Sequence, residues 1–306
     1  MPPYIIEGVQ LCKNDTLKTC SLLIEKNRIQ FIDHHLEKLK FMRMLANEYV
    51  MTPGFIMMDT LPEDIKTFPQ VKSYLSENYL IRGCTSLISV IPIQYEGDIQ
   101  KKVKERRQIL INSPIDFYIA LEISAKNLTP SLLRLCKKLK ISMVIVNFFN
   151  ENEIRRVPWG WIRDALFMNP VTLIPKISKA EMSFFQYHKV KFLWRDMVKE
   201  HKLTALQDCP QNNRPLQKNE LMTIGIYPDK GDLRIGGQVD YNLYKLEDVG
   251  YSVEENIILD YHIHKPTFTV HKGRLQKAEK IHYYTGFGEE CVIPITKRFL
   301  PQSATN

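Results

Sequence analysis

The apolar run "MTPGFI" (51–56) is followed directly by Met57-Met58-Asp59-Thr60-Leu61. The end of a strand is a place where chemistry can be built, because alternate residues point the same way and two of them can grip one ion. Asp59 is the only carboxylate in this stretch. Three more candidates stand at comparable places: Glu122 in "IALEIS", Lys176 in "LIPKIS" and Asp208 in "LQDCP". Together with Asp59 they could hold a cation through oxygen ligands. A zinc site without imidazole or thiolate would be unusual, and all four also read as ordinary polar residues at loop edges. The expectation is therefore no metal and no other cofactor, with a divalent metal such as zinc as the alternative, for which Asp59, Glu122 and Asp208 are the candidate ligands.

Other groupings offer less. His262 and His264 in "HIH" put two imidazoles on one side of a strand without a third ligand, and "DHH" (33–35) closes a hairpin. There is no G-x-S-x-G elbow for a nucleophile. "GFGEE" (286–290) has too few glycines for a phosphate loop and reads as a turn. The six cysteines are scattered without a C-x-x-C pair, which argues for reduced thiols rather than disulfides or a structural zinc site.

The elements that must position these residues follow from periodicity. The first 50 residues are β-rich, with a hairpin over 21–33 turning at Asn27. From 49 to about 203 apolar runs alternate with amphipathic stretches. The runs predict strands at 49–57, 84–93, 116–124, 141–149 and 171–178, with a sixth at 203–208. Helices are predicted at 62–81, 97–111, 129–140, 151–168 and 179–201, the third opened by Thr129 as N-cap and Pro130 in the first turn. Strands apolar throughout and separated by helices imply a parallel sheet covered on both faces. A polar loop over 204–220 leads back to short strands, so residues 1–50 and 220–306 are expected to form one composite β domain around a βα domain at 51–219.

A 306-residue chain that is 44% apolar can bury a large core. Its longest apolar runs fall short of the roughly 20 residues a membrane span requires. The N-terminus lacks the features of a secretory signal, so a cytoplasmic location without membrane contact is expected. The net charge of +8 is carried partly by "KKVKERR" (101–107), where Ile99, Val103 and Leu110 would face the core and the cations would face water. No nucleic-acid motif accompanies it.

The succession "LLIEKNRIQFID", "MTPGFI", "LIRGCTSLISV", "LMTIGIYPDKGDLRIGGQVDYNLYK" and "PTFTVHKGRL" resembles the amidohydrolase superfamily, in particular the branch with N-acetylglucosamine-6-phosphate deacetylase, dihydroorotase and imidazolonepropionase. Gly231, Gly237, Asp240 and Leu243 match that family's return to its β-sandwich, with Val239 in place of alanine, and Val270 with Gly273 matches the strand that follows. The resemblance implies an α/β fold: a TIM-like βα barrel of parallel strands with a small β-sandwich built from the two ends of the chain. In that family an H-x-H pair follows the first barrel strand, and here those positions are Asp59 and Leu61. Glu122 is similarly placed to the metal-binding glutamate of the deacetylase branch.

The barrel is also short. About 150 residues hold the βα units, where eight units need roughly 200. An incomplete barrel has edges that a loop, the sandwich or a partner must cover, so a homo-oligomer or a protein partner is expected. Three readings stand side by side. The chain is a pseudoenzyme acting in binding, regulation or assembly, with room for a small-molecule ligand. Alternatively it hydrolyses a C–N bond at a reduced metal site, or it completes its barrel with another protein.

Overall fold

The computed structural model describes residues 2–13, 16–34, 36–178, 182–251, 257–258 and 263–294. The chain begins with β1 (Tyr4–Lys13), β2 (Thr16–Glu25) and β3 (Arg28–Asp33). The expected hairpin joins β2 to β3. Lys26 and Asn27 both take positive φ, 50° and 58°, as a two-residue turn matched to strand twist requires. Next come β4 (Met42–Leu45) and β5 (Tyr49–Pro53), each parallel to part of β1.

The single strand expected over 49–57 is two strands in two different sheets. β5 ends at Pro53, and β6 (Phe55–Asp59) starts a second sheet. Gly54 is the joint. Its N–H donates to the carbonyl of Asp240 in one sheet while Phe55 N–H donates to Gly83 at the edge of the other. A Cβ at Gly54 would lie 2.4 Å from Thr85 Oγ1, so only glycine permits this approach.

The second sheet continues through α1 (Phe68–Asn78), β7 (Cys84–Pro92), α2 (Ile99–Leu110), β8 (Asp116–Ser124), α3 (Pro130–Lys138), β9 (Met143–Phe148), α4 (Glu151–Arg156), α5 (Trp159–Met168), β10 (Thr172–Ile177) and α6 (Phe184–Glu200). Its five strands are parallel in the order β10-β9-β8-β7-β6. Thr129 caps α3 by accepting from Leu132 N–H at 3.1 Å, as expected. The helix expected over 151–168 is two, because Val157, which precedes Pro158, is held extended at ψ 129°. The helix expected over 62–81 starts only at Phe68, with a proline in its first turn. The start of the helix expected at 179 lies outside the described residues.

Helices α1–α6 pack on one face of this sheet, and residues after α6, among them Leu206, Leu216, Leu221 and Ile224, cover the other, so both faces are buried as expected. Met57, Leu87, Ile119, Val146 and Leu173 point into that helical layer. This sequential arrangement curls into a half-barrel. Its two edges are finished by one irregular stretch. Leu206 N–H donates to the Leu173 carbonyl and Leu173 N–H to Thr204 on the β10 side, and Leu216 N–H donates to Ile56 on the β6 side. The sixth strand expected at 203–208 is thus one bridge, Leu173 with Ala205, and residues 204–216 run from one edge to the other.

After α7 (Lys218–Ile224) the chain returns to the first sheet with β11 (Tyr241–Lys245). A short ribbon follows, β12 (Gly250–Tyr251) with β13 (Ile257–Ile258), and then β14 (Phe268–His271) and β15 (Arg274–Lys277). The first sheet thereby has eight strands, ordered β15-β14-β11-β5-β1-β2-β3 with β4 beside β1. Both ends of the chain contribute to it. Hydrogen bonds between Ile29 and Gly236–Gly237 fold its margin back over its own apolar core of Ile6, Leu22, Ile29, Met51, Val239 and Tyr241.

Candidate functional site

The concave face of the half-barrel is where a barrel would have its interior. Ile56, Met58, Ile88, Val90, Tyr118, Ala120, Met143, Ile145 and Ile174 line it, and Leu206, Leu216, Leu221, Ile224, Ile226 and Ile293 cover it. The alternation along each strand produces this directly, with one parity going to the helices and the other to the concave side. The result is a second apolar core.

Asp59 belongs to the other parity. It is buried, 4% exposed, on the side of Met57 and Leu61, which pack in the helical layer. Tyr74 of α1 donates its hydroxyl to Asp59 Oδ2 at 2.7 Å. Burial first, then the hydrogen bond it donates to Asp59 and the Asp59 charge, push the Tyr74 phenol well above its ordinary pKa. Beside them Arg106 of α2 donates to Ser89 Oγ at 2.9 Å. Burial lowers the guanidinium pKa while the Asp59 charge opposes that shift. The expectation that the cations of 101–107 all face water therefore fails at Arg106, which takes a core-facing position with Ile99, Val103 and Leu110. Its neighbour Arg107 is also engaged, by a fork onto Glu290 with Nε at 2.8 Å and Nη2 at 2.7 Å.

Glu122 lies on the concave side at the C-terminal end of β8. Lys176 Nζ donates to its Oε1 at 2.6 Å and Asn147 Nδ2 to the same atom at 2.9 Å. Three adjacent strands thus bring together two of the four sequence candidates and add an asparagine. Asp208 is apart, half-exposed and paired with Lys191 of α6. Cys209 is close enough to feel the charges of Lys176 and Glu122, but burial pushes its thiol up to about 12, so it is protonated and a poor nucleophile. Asp59 and Glu122 stand on opposite faces and cannot ligate one ion. Among the described residues no group of three His, Cys, Asp or Glu side chains is gathered as metal ligands. His262 and His35 lie outside the described residues.

The most highly charged buried cluster was not anticipated. It lies at the opposite, N-terminal end of β8, where Asp116 is 1% exposed. Lys230 Nζ reaches Asp116 at 2.7 Å and Asp240 at 2.9 Å, and Lys272 Nζ reaches Asp116 at 2.7 Å. His271 completes it, with Nδ1 3.0 Å from Asp240 and Nε2 3.5 Å from Asp116. Burial alone would raise both carboxyls, but hydrogen bonds and charge from His271 and Lys230 outweigh it and hold both well below the usual range. Burial would likewise lower His271, and its two carboxylate partners raise it instead. The cluster fastens the first sheet to the bottom of the half-barrel, the end of such folds that reads as stability. Its one advance signal was Asp240, read as part of a motif.

No protein-family profile and no curated protein matches this chain. Solved structures do. Dihydropyrimidinase from Brevibacillus agri aligns with a TM-score of 0.56 at 12% identity, over 98% of this chain and 100% of the other. L-hydantoinase from Arthrobacter aurescens gives 0.57 at 12% identity, over 94% and 99%. Triazine hydrolase from the same species gives 0.51 at 10% identity, over 91% and 95%. These are amidohydrolase-superfamily proteins, and the chain is similar to them in fold: a curled parallel sheet with a separate, mainly antiparallel one.

Proposed function

We propose that this chain is an amidohydrolase-like scaffold that has given up the metal-dependent hydrolase site and acts in binding, regulation or assembly. The observation that supports this reading is the division of its polar residues between two faces. Asp59 is directed into the helical layer and held by Tyr74, while Glu122 on the concave side is satisfied by Lys176 and Asn147. Between them the concave face is lined mainly by buried apolar side chains, which are not ligands for a metal that would activate water. Residues 1–50 with 220–306 and residues 51–219 are proposed as its two structural units. The cytoplasm, which keeps thiols reduced, is its proposed location, and none of the six cysteines is in a disulfide.

A homo-oligomer or protein partner belongs to the same proposal, although residues 204–216 already pair with both sheet edges; a clean monomer in sedimentation at micromolar concentration would remove it. Thermal melting with and without added zinc or manganese tests the main reading. The midpoint is expected to stay within about 1 °C, since a ligand that binds only the folded state must raise it. A saturable rise of several degrees would contradict the proposal.

A further inference from the structure

A cavity of about 650 Å³ opens between the chain ahead of α1, the end of β7 and α2. It lies outside the concave face. Arg106, Lys102, Lys66, Glu63, Glu105 and Pro92 are among the residues that line it. The volume is in the range of small-molecule sites, and the cavity lies beside the carboxyl end of β7, where Ile91 and Pro92 line it.

Arg106 makes this cavity more than a gap between helices. Ile99, Val103, Arg106 and Leu110 form the buried stripe of α2, so a cation occupies a position that an aliphatic side chain would fill at lower cost. The side chain is 8% exposed. Its one hydrogen bond among the described residues is to the Ser89 hydroxyl, and no carboxylate lies within ion-pair distance there. A guanidinium carries five N–H donors in a fork that matches a carboxylate or phosphate. Asp59 and Glu63 act on Arg106 through their charge without forming an ion pair with it, and Asp59 accepts from Tyr74. Lys102 is tethered at the rim by donating to the Pro92 carbonyl at 3.0 Å. It places a second cation beside the first.

We infer that the Arg106 cavity binds a small organic anion, a carboxylate or phosphate that also carries hydrogen-bond donors. Arg106 and Lys102 would take the anion and Glu63 and Glu105 the donors. The two glutamates also disfavour polyanions, which separates this site from a nucleic-acid surface. The inference does not rest on the fate of the hydrolase site, because none of these residues lines the concave face.

Isothermal titration of the full chain with malate, a carboxylate that carries a hydroxyl donor, and with inorganic phosphate tests it, against sodium chloride at matched ionic strength. Saturable binding of at least one probe is expected. Arg106→Gln and Lys102→Gln should each weaken it by about tenfold, the usual scale for removing a charged hydrogen-bond partner, while Lys104→Gln, on the exposed side of the same helix, should leave it unchanged. Lys102→Gln keeps the test decisive if Arg106→Gln does not fold. Absence of saturable binding to both probes by the unaltered protein would overturn the assignment. So would binding that Lys102→Gln leaves unchanged.

Discussion

Asp59 and Glu122 close two strands of one five-stranded sheet at its same end, yet they face away from each other. The hydroxyl of Tyr74 holds Asp59 among the helices, and Lys176 holds Glu122 over the concave side. A metal bridging them would have to pass through the sheet. The two carboxylates are therefore independent groups with different environments, one buried against a phenol and one at a wet rim.

Their mutational energies should reflect that. Asp59→Asn weakens a buried charge-assisted bond and is expected to cost about 1.5–3 kcal/mol, whereas Glu122→Gln loosens a pair whose lysine is half-exposed and should cost less than about 1 kcal/mol. In a double-mutant cycle read by urea unfolding the two should add within about 0.5 kcal/mol. A coupling well above that would indicate a shared ligand or ion.

Gly54→Ala tests the joint between the sheets. The new methyl would meet Thr85 Oγ1 at 2.4 Å, and overpacking of this kind costs about 1–3 kcal/mol. Thr85→Ala in the same chain should restore most of the loss, measured by chemical denaturation. No rescue would mean that the strain lies in the backbone rather than at Thr85.

The buried cluster predicts a stability maximum in mildly acidic solution. Asp116 and Asp240 have lowered pKa values, so their contribution is present above the ordinary carboxylate value near 3.8 and is lost as pH falls through the folded values. His271 is raised, so its contribution is complete below its ordinary value of 6.5 and is lost as pH rises through the folded one. Both are present between those ordinary values. His271→Gln should flatten the alkaline limb of the melting profile and make the acid limb shallower without abolishing it, since Lys230 still lowers both carboxyls. An unchanged alkaline limb would remove His271 from the cluster's electrostatics.

Much of the architecture was legible because its strands are buried on both faces and read as unbroken apolar runs. β8 emerged at its observed bounds, 116–124, for that reason. The helix expected over 179–201 also emerged as α6, with Val190, Leu193 and Trp194 buried. The break at Gly54 was hidden because an apolar run looks the same whether it serves one sheet or two; the cause lies 31 residues on, at Thr85. At Pro158 the apolar periodicity runs on unbroken while the proline holds Val157 extended, so periodicity alone does not show the division into α4 and α5.

The candidate site was legible only in its membership. Glu122 and Lys176 meet because equal parity on neighbouring parallel strands places them together, whereas the parity of Asp59 depends on which face the helices choose. Arg106 was concealed inside a basic run that otherwise faces water. The cluster of Asp116, Lys230, Asp240, His271 and Lys272 draws on both sheets, and no local pattern announces such a group.

Elemental analysis of the full chain, purified without chelator, tests the central claim most directly. The account predicts zinc, manganese and iron each far below one equivalent per chain, with no change in Asp59→Asn or Glu122→Gln. One equivalent of tightly held metal, reduced by either substitution, would contradict it.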